Sequence, residues 1–106
     1  MFEMKWSHAE KAIARRAFTV ALGEELEATI HEAKRRMAMV AEPSELWELE
    51  SWLAERRADI DRRYDYRYSK LPLVLAHLIR DGHLRIENLD GLGAEKLELI
   101  RRGAVL

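Results

Sequence analysis

The chain contains no cysteine, which excludes disulfide bonds, thiolate catalysis and metal sites built on cysteine. Proline and glycine are also scarce, with two and five copies in 106 residues. Because these two residues are the strongest helix breakers, their scarcity favours long uninterrupted helices. No window approaches the ~18 apolar residues of a membrane-spanning helix, and the N-terminus lacks the apolar run of a signal peptide. We therefore expect a cytoplasmic protein that does not insert into membranes.

An excess of charge of one sign is missing as well, since 18 basic residues face 19 acidic ones and the net charge is -1. Without a global positive field, binding to nucleic acid or anionic lipid would need a local cluster of cations. Charged residues nevertheless make up 35% of the chain, against about a quarter in typical globular proteins. This content fits one domain of exposed helices, spanning 1-106.

Patterns for catalysis and metal binding are not found in the sequence. The four histidines show no i, i+4 pair of the kind that holds zinc on a helix, and there is no H-E-x-x-H motif. No serine has an obvious base, and neither a glycine-rich phosphate loop nor G-x-S-x-G occurs. We expect a protein that is not an enzyme and that uses no metal and no cofactor.

Helical periodicity dominates the first part of the chain, from Ser7 to Ala41. Ser7 and Glu10 have the spacing of a capping box, which predicts a helix start. Apolar residues then recur at intervals of three and four on one face, at Phe18, Leu22, Leu26, Ile30, Ala33, Met37 and Val40. Gly23 costs roughly 1 kcal/mol within a helix compared with alanine, so a kink or a break that divides the first helix into two pieces is one interpretation of this position.

A second helix is predicted after Pro43, with Ser44 as its cap. Its main apolar stripe comprises Leu46, Leu49, Leu53, Ile60 and Tyr64. Glutamates gather at its start and arginines toward its end, up to Arg67, as the helix dipole favours. This gradient makes the helix complementary to an antiparallel copy of itself.

Two shorter helices are predicted after the long hairpin, over Ser69–Asp81 and Ala94–Arg102, with Gly82 and Gly103 as their stops. No segment shows the strict alternation of a strand. The predicted fold class is all-α, with a long helical hairpin over 1-68 and a small helical head over 69-106. The apolar faces of the hairpin exceed what one neighbouring helix can cover, so we expect a homodimer. Its predicted interface comprises Leu26, Ile30, Ala33, Met37, Leu46, Leu49 and Leu53.

Two segments admit a nucleic-acid interpretation. The Leu89–Gly93 turn before a helix resembles the hairpin of helix-hairpin-helix DNA binders, but Asp90 and Glu95 place negative charge beside it. The 62–68 segment mixes arginines with tyrosines, but aspartates interleave with them. A packed turn and arginines paired with acids are the favoured interpretations.

Trp47 is the sharpest single feature, because it lies beside the main stripe of the second helix. It shares a flank with Glu50, Ser51, Ala54, Arg57 and Ala58. Tryptophan and arginine are the commonest hot spots of protein interfaces. Periodicity alone leaves two possibilities open, a partner-binding flank or a tryptophan packed against the first helix of its own subunit.

The chain resembles the fluorescence recovery proteins of cyanobacteria from Trp6 to Arg102. The matching residues begin with Trp6-Ser7 and Ala9-Glu10. The strongest segment follows, with Leu46-Trp47-x-Leu49, Trp52-Leu53, Arg57, Ile60-Asp61 and Tyr64-Asp65. Leu78-Ile79-x-x-Gly82, Glu87-x-Leu89 and Gly91-Leu92 complete the set.

The resemblance implies an all-helical homodimer that uses no cofactor. It implies binding to the light-activated red form of the orange carotenoid protein, chiefly through that protein's C-terminal, NTF2-like domain. The resemblance implies that this binding speeds the return of the orange carotenoid protein to its orange form and helps to detach it from the phycobilisome. The alternative is a divergent homologue that serves another partner, such as a different NTF2-like domain protein.

The resemblance also implies a functional surface that includes the positions of Trp47 and Arg57. The family carries polar residues there, including an aspartate, where this chain has Glu50 and Ser51. Leu73 stands in the head where family members can carry a larger apolar residue. These five residues are the predicted partner-binding set.

Overall fold

The computed structural model of the protein describes residues 4–106, which form four α-helices, one short 3-10 helix and, within that range, no β-strand. The elements are α1 (His8–Ala38), α2 (Pro43–Arg63), α3 (Leu71–Arg80), the 3-10 helix (Ile86–Leu89) and α4 (Ala94–Ala104). The predicted all-α class is confirmed. Across residues 4–106, no helix combines the length and the hydrophobicity that crossing a bilayer requires. The start of the chain, on which the signal-peptide prediction rests, lies partly outside the described residues.

The start of α1 follows the predicted capping box. The Glu10 amide donates to Ser7 Oγ (3.1 Å), and the Ser7 amide donates to Glu10 Oε1 (3.0 Å). The helix runs through Gly23 without a break, so the possible interruption there does not occur. It ends at Ala38 rather than at the predicted Ala41, because the next two amides bind carbonyls three residues back and tighten the last turn.

Both predicted ends of α2 are wrong. Its N-cap is Glu42, whose amide donates to the Glu45 carboxylate (3.0 Å), and Ser44 lies inside the first turn. Pro43 occupies the first helical position, where a missing N–H costs nothing. The helix stops at Arg63, so the predicted continuation through Tyr64 and Arg67 does not form.

An aromatic ladder explains the early end of α2. The rings of Tyr64 and Tyr66 both pack edge-on against Phe18, with centroids 5.3 and 4.8 Å away. Tyr66 also packs against Tyr68 and lies under the Arg15 guanidinium (3.8 Å). Side chains two residues apart reach the same surface only from extended backbone, so this packing competes with the helix.

The third predicted helix begins at Leu71 rather than Ser69, with Pro72 in its first turn. Gly82 follows it with φ +83°, which confirms the predicted glycine stop. The predicted stop at Gly103 is wrong, because α4 continues to Ala104. A Cβ on Gly103 would lie 2.8 Å from the Ala76 Cβ, so this glycine lets α3 and α4 approach closely.

The buried core lies at one end of an elongated molecule measuring 54 × 26 × 25 Å. The first half of α1 supplies four of its members, Ala14, Ala17, Phe18 and Ala21. The later elements supply the rest, including Leu71, Leu75, Leu78, Leu89 and Ile100. The head core therefore includes the start of α1, and the hairpin of α1 and α2 projects from it. The division into 1-68 and 69-106 stays a prediction.

Candidate partner-binding surface

The predicted flank of α2 faces solvent in the single chain. Trp47 is 60% exposed, and the Arg57 side chain is 87% exposed. Glu50 and Ser51 are exposed as well. Trp47 therefore does not pack beneath α1 of its own chain, and the choice left open by periodicity is settled for one chain. We refer to Trp47, Glu50, Ser51 and Arg57 as the α2 flank.

A second tryptophan fixes the rotation of α2. Trp52 is half-buried, and the Arg36 guanidinium of α1 stacks over its ring at 4.3 Å. Five helical residues correspond to a turn of roughly 140°, so Trp52 facing α1 directs Trp47 away from it. Trp52 thereby orients the helix, and Trp47 remains exposed for contact with a partner.

Arg57 is only loosely held within the chain. Its Nε lies 3.9 Å from Asp61 Oδ2, and exposed pairs of this kind contribute little to stability. Arg57 also lines an apolar groove of about 330 Å³ between α1 and α2, together with Leu26 and Ile60. A cation beside an apolar depression can contact a partner both through charge and through its aliphatic stem.

The predicted dimer residues form a largely uncovered apolar face on the hairpin. Five of the seven are exposed by 37 to 54%, namely Leu26, Ile30, Met37, Leu46 and Leu53. Ala33 and Leu49 are half-buried. Ile60 is the one fully buried residue of α2. The exposure fits an interface, and the dimer itself stays a prediction.

Leu73 does not join the α2 flank within one chain. It is 53% exposed on α3, in the head. Trp47 precedes the end of α2 at Arg63 by a helical length of about 24 Å, so the two side chains lie on separate parts of the molecule. The predicted partner-binding set therefore spans two regions.

A buried ionic cluster holds the end of α2 against α1, and sequence reasoning missed it. The Glu25 carboxylate of α1 is 4% exposed and accepts two hydrogen bonds from Arg63, each 2.7 Å long. The Tyr64 hydroxyl also donates to it, and His83 Nε2 lies 3.6 Å away. Burial raises the pKa of Glu25, but the hydrogen bonds from Arg63 and Tyr64 outweigh it, so the pKa is lowered overall. The sequence did contain one signal of this cluster, since Glu25 is an acid at helical spacing from apolar residues, four positions after Ala21.

The glycine turn before α4 is engaged within the chain. The Gly93 amide donates to Glu10 Oε2 (2.8 Å), and Lys96 Nζ binds the same carboxylate and the Lys5 carbonyl. The amide that a phosphate would use in a helix-hairpin-helix is thus already occupied by a carboxylate. The interpretation as a packed turn is supported.

The arginines of the 62–68 segment pair with acids, as predicted. Arg62 binds Asp59 at 3.1 Å, and Arg67 binds Asp65 at 2.9 Å. Within residues 4–106, no three histidine or acidic side chains come close enough together to hold one metal ion.

Comparison with known proteins supplies the identification. The model of a family described as "Photoprotection regulator fluorescence recovery protein" matches residues 6–102. The chain belongs to the fluorescence recovery protein family. The resemblance seen in the sequence is thereby confirmed, and the family is one of photoprotection regulators.

Individual relatives agree with this assignment to the fluorescence recovery protein family. The Fluorescence recovery protein of Synechocystis sp. (strain ATCC 27184 / PCC 6803 / Kazusa) is 31% identical over 99 residues, which cover 93% of this chain and 91% of the relative. The structure of the Fremyella diplosiphon Fluorescence Recovery Protein matches with a TM-score of 0.91 and 34% identity, covering 96% of this chain and 100% of the other. The Synechocystis sp. PCC 6803 structure matches with a TM-score of 0.90 and 31% identity, at the same coverage.

Proposed function

We propose that this protein is a non-enzymatic regulator that accelerates the red-to-orange return of the orange carotenoid protein in the cytoplasm. It does so by binding the C-terminal domain of that protein through the α2 flank. The observation that carries the proposal is the exposure of Trp47 and Arg57 on one flank of α2, in a chain of the fluorescence recovery protein family.

A binding protein changes its partner's conformation only through different affinities for the partner's states. Acceleration requires in addition that it bind the transition state between those states more tightly than the starting state. A protein that holds two separated domains near each other achieves this, because it raises their effective concentration. Leu73 in the head offers a second contact, distant from Trp47, for such bridging.

We propose further that the working form is a homodimer joined through the apolar face of the hairpin. Leu26, Ile30 and Leu53 are exposed in the single chain. Covering them would stabilise the protein by about 25 cal/mol for each Å² of apolar surface buried. A second copy covers the same face by symmetry. An antiparallel copy of α2 also sets its glutamate-rich start against the arginine-rich end.

A second candidate function rests on Glu50 and Ser51. Relative to the family pattern, the carboxylate moves by one residue, which turns it about 100° around α2. A salt bridge that depends on the original direction is lost. Another NTF2-like domain, with its basic residue placed to meet Glu50, is the alternative partner.

The proposed function is tested by timing the dark relaxation of purified, illuminated orange carotenoid protein with this protein added. We expect faster relaxation that saturates with concentration. Arg57→Ala should weaken the effect, whereas Arg101→Ala removes the same charge from an exposed position on α4 and should leave it unchanged. No acceleration at saturation would refute the carotenoid-protein role and favour the alternative partner.

Trp47→Ala separates a binding role from a structural one. We expect weaker binding to the partner with unchanged helicity and unchanged molecular mass, because this side chain packs little within its own chain. Sedimentation velocity and circular dichroism provide the two structural readouts. A loss of helicity or of the dimer would instead show that Trp47 supports the fold.

A further inference from the structure

A second groove lies in the head, away from the α2 flank. It is enclosed on one side by α1, through Arg16, Val20 and Glu24, and on the other by the 82–88 segment after α3. Its volume is about 400 Å³. That is within the size range of sites that hold small ligands or a few side chains of a partner.

Two arginines on this groove form no ion pair within residues 4–106. Of the thirteen arginines in the chain, eight form ion pairs, one stacks on a tyrosine and one hydrogen-bonds to a threonine. Within residues 4–106, the guanidinium groups of Arg16, Arg85 and Arg101 are left without such contacts. Arg16 and Arg85 line the same groove, one from each side.

The wall that carries Arg85 is preorganised. The Arg85 amide donates to Asn88 Oδ1, and the Asn88 amide donates to the Arg85 carbonyl, both at 2.9 Å. The His83 amide donates to the Leu78 carbonyl at 2.8 Å, which anchors the start of the segment. Little ordering is therefore required when a ligand binds there, and a preorganised site gains affinity for that reason.

The α1 wall contributes apolar surface between two charged residues of the same helix. Val20 is 52% exposed, and Arg16 and Glu24 lie four residues on either side of it along one helix face. Buried Leu84 borders the groove from the opposite segment. The groove is thus lined by two arginines, an apolar strip and one acid.

We propose that this groove binds an acidic segment of a protein partner, with its carboxylates between Arg16 and Arg85 and an adjacent apolar side chain on Val20. Guanidinium groups bind carboxylates through paired, charge-assisted hydrogen bonds. Glu24 and the apolar strip favour a peptide over a nucleic acid, whose phosphates are evenly spaced and carry no apolar group between them. The inference adds a contact to the proposed function without depending on the identity of the carotenoid partner.

The direct test is an amide NMR titration of the protein with two synthetic heptapeptides at low salt. One carries three glutamates around a single leucine, and the other carries glutamines in their place. We expect saturable shifts confined to 16–24 and 82–88 with the glutamate peptide, and at least roughly tenfold weaker binding with the glutamine peptide, as the loss of one charged hydrogen bond implies.

Variants identify the groove. Arg16→Gln and Arg85→Gln should each weaken binding of the glutamate peptide roughly tenfold. Arg101→Gln removes an arginine of α4 that pairs with no acid among the described residues and lies outside the groove, so it should leave the affinity unchanged. Equal weakening by all three variants would indicate non-specific charge attraction and overturn the proposal.

Two further outcomes would also overturn it. One is the absence of localised shifts with the glutamate peptide, and the other is tighter binding of a short DNA duplex to the same amides. The dark-relaxation assay of the carotenoid protein is independent of this peptide titration. Peptide binding without accelerated carotenoid-protein relaxation would leave the groove in place and refute only the proposed carotenoid role.

Discussion

Replacing Glu25 by glutamine tests whether the buried cluster holds the end of α2 against α1. The change keeps the shape of the side chain but removes the charge that faces Arg63. Arg63 is only 19% exposed and keeps Asp59 as its remaining acidic neighbour, at 3.3 Å. Breaking a buried ion pair on one side typically costs 3–5 kcal/mol, and the Asp59 contact places this case at the lower end, at about 3 kcal/mol. That is a large share of the ~5–15 kcal/mol that stabilises a domain.

The assay is urea unfolding followed by circular dichroism at one fixed protein concentration, since association would contribute to the measured stability. Glu27→Gln is the matched control, because Glu27 is exposed on the same helix and should change stability by less than about 0.5 kcal/mol. Equal effects of the two substitutions would refute the reasoning.

The pH dependence provides an independent check on Glu25. Its pKa is lowered in the folded protein, so its contribution is fully present above the unfolded pKa of about 4.3 and is lost as the pH falls toward the folded value. The stability difference between wild type and Glu25→Gln should therefore shrink below about pH 4. A difference that stays constant down to pH 2 would contradict the assignment.

Three further predictions concern other contacts. Hydrogen bonds from backbone amides hold the pKa of Glu10 at about 2, so Glu10→Gln should cost about 2 kcal/mol in urea unfolding at pH 7 and progressively less below about pH 4; a pH-independent cost would be inconsistent with this. Gly103→Ala should lower the melting temperature because its Cβ meets Ala76, whereas Gly23→Ala meets nothing within 4 Å and should stabilise α1 by about 1 kcal/mol; equal effects would show that the close approach of α3 and α4 is unimportant. Leu53→Asp should halve the mass seen by sedimentation while helicity persists, if the hairpin face joins two copies; an unchanged mass would place the interface elsewhere.

The helices were predictable because their signals are local. The capping box at Ser7, the positions of Pro43 and Gly82, and the apolar spacing of three and four all act within a few residues along the chain. The all-α class follows from such signals, whereas the family assignment rests on the resemblance of residues spread over 6–102. The exposure of Trp47 could be stated only as one of two possibilities, since periodicity defines the faces of a helix but not what covers them.

Where local and distant interactions compete, only the tertiary structure decides. Tyr64 and Tyr66 leave the helical pattern of α2 because Phe18, more than forty residues earlier, offers their rings a better surface. The sequence indicates Gly103 as a helix stop, whereas in the structure this glycine leaves room for the Ala76 side chain of α3. The sequence by itself therefore determined which segments are helical and which family the chain belongs to. The tertiary structure decided which faces are covered and that Glu25 meets Arg63, because those outcomes depend on contacts between residues far apart in the chain.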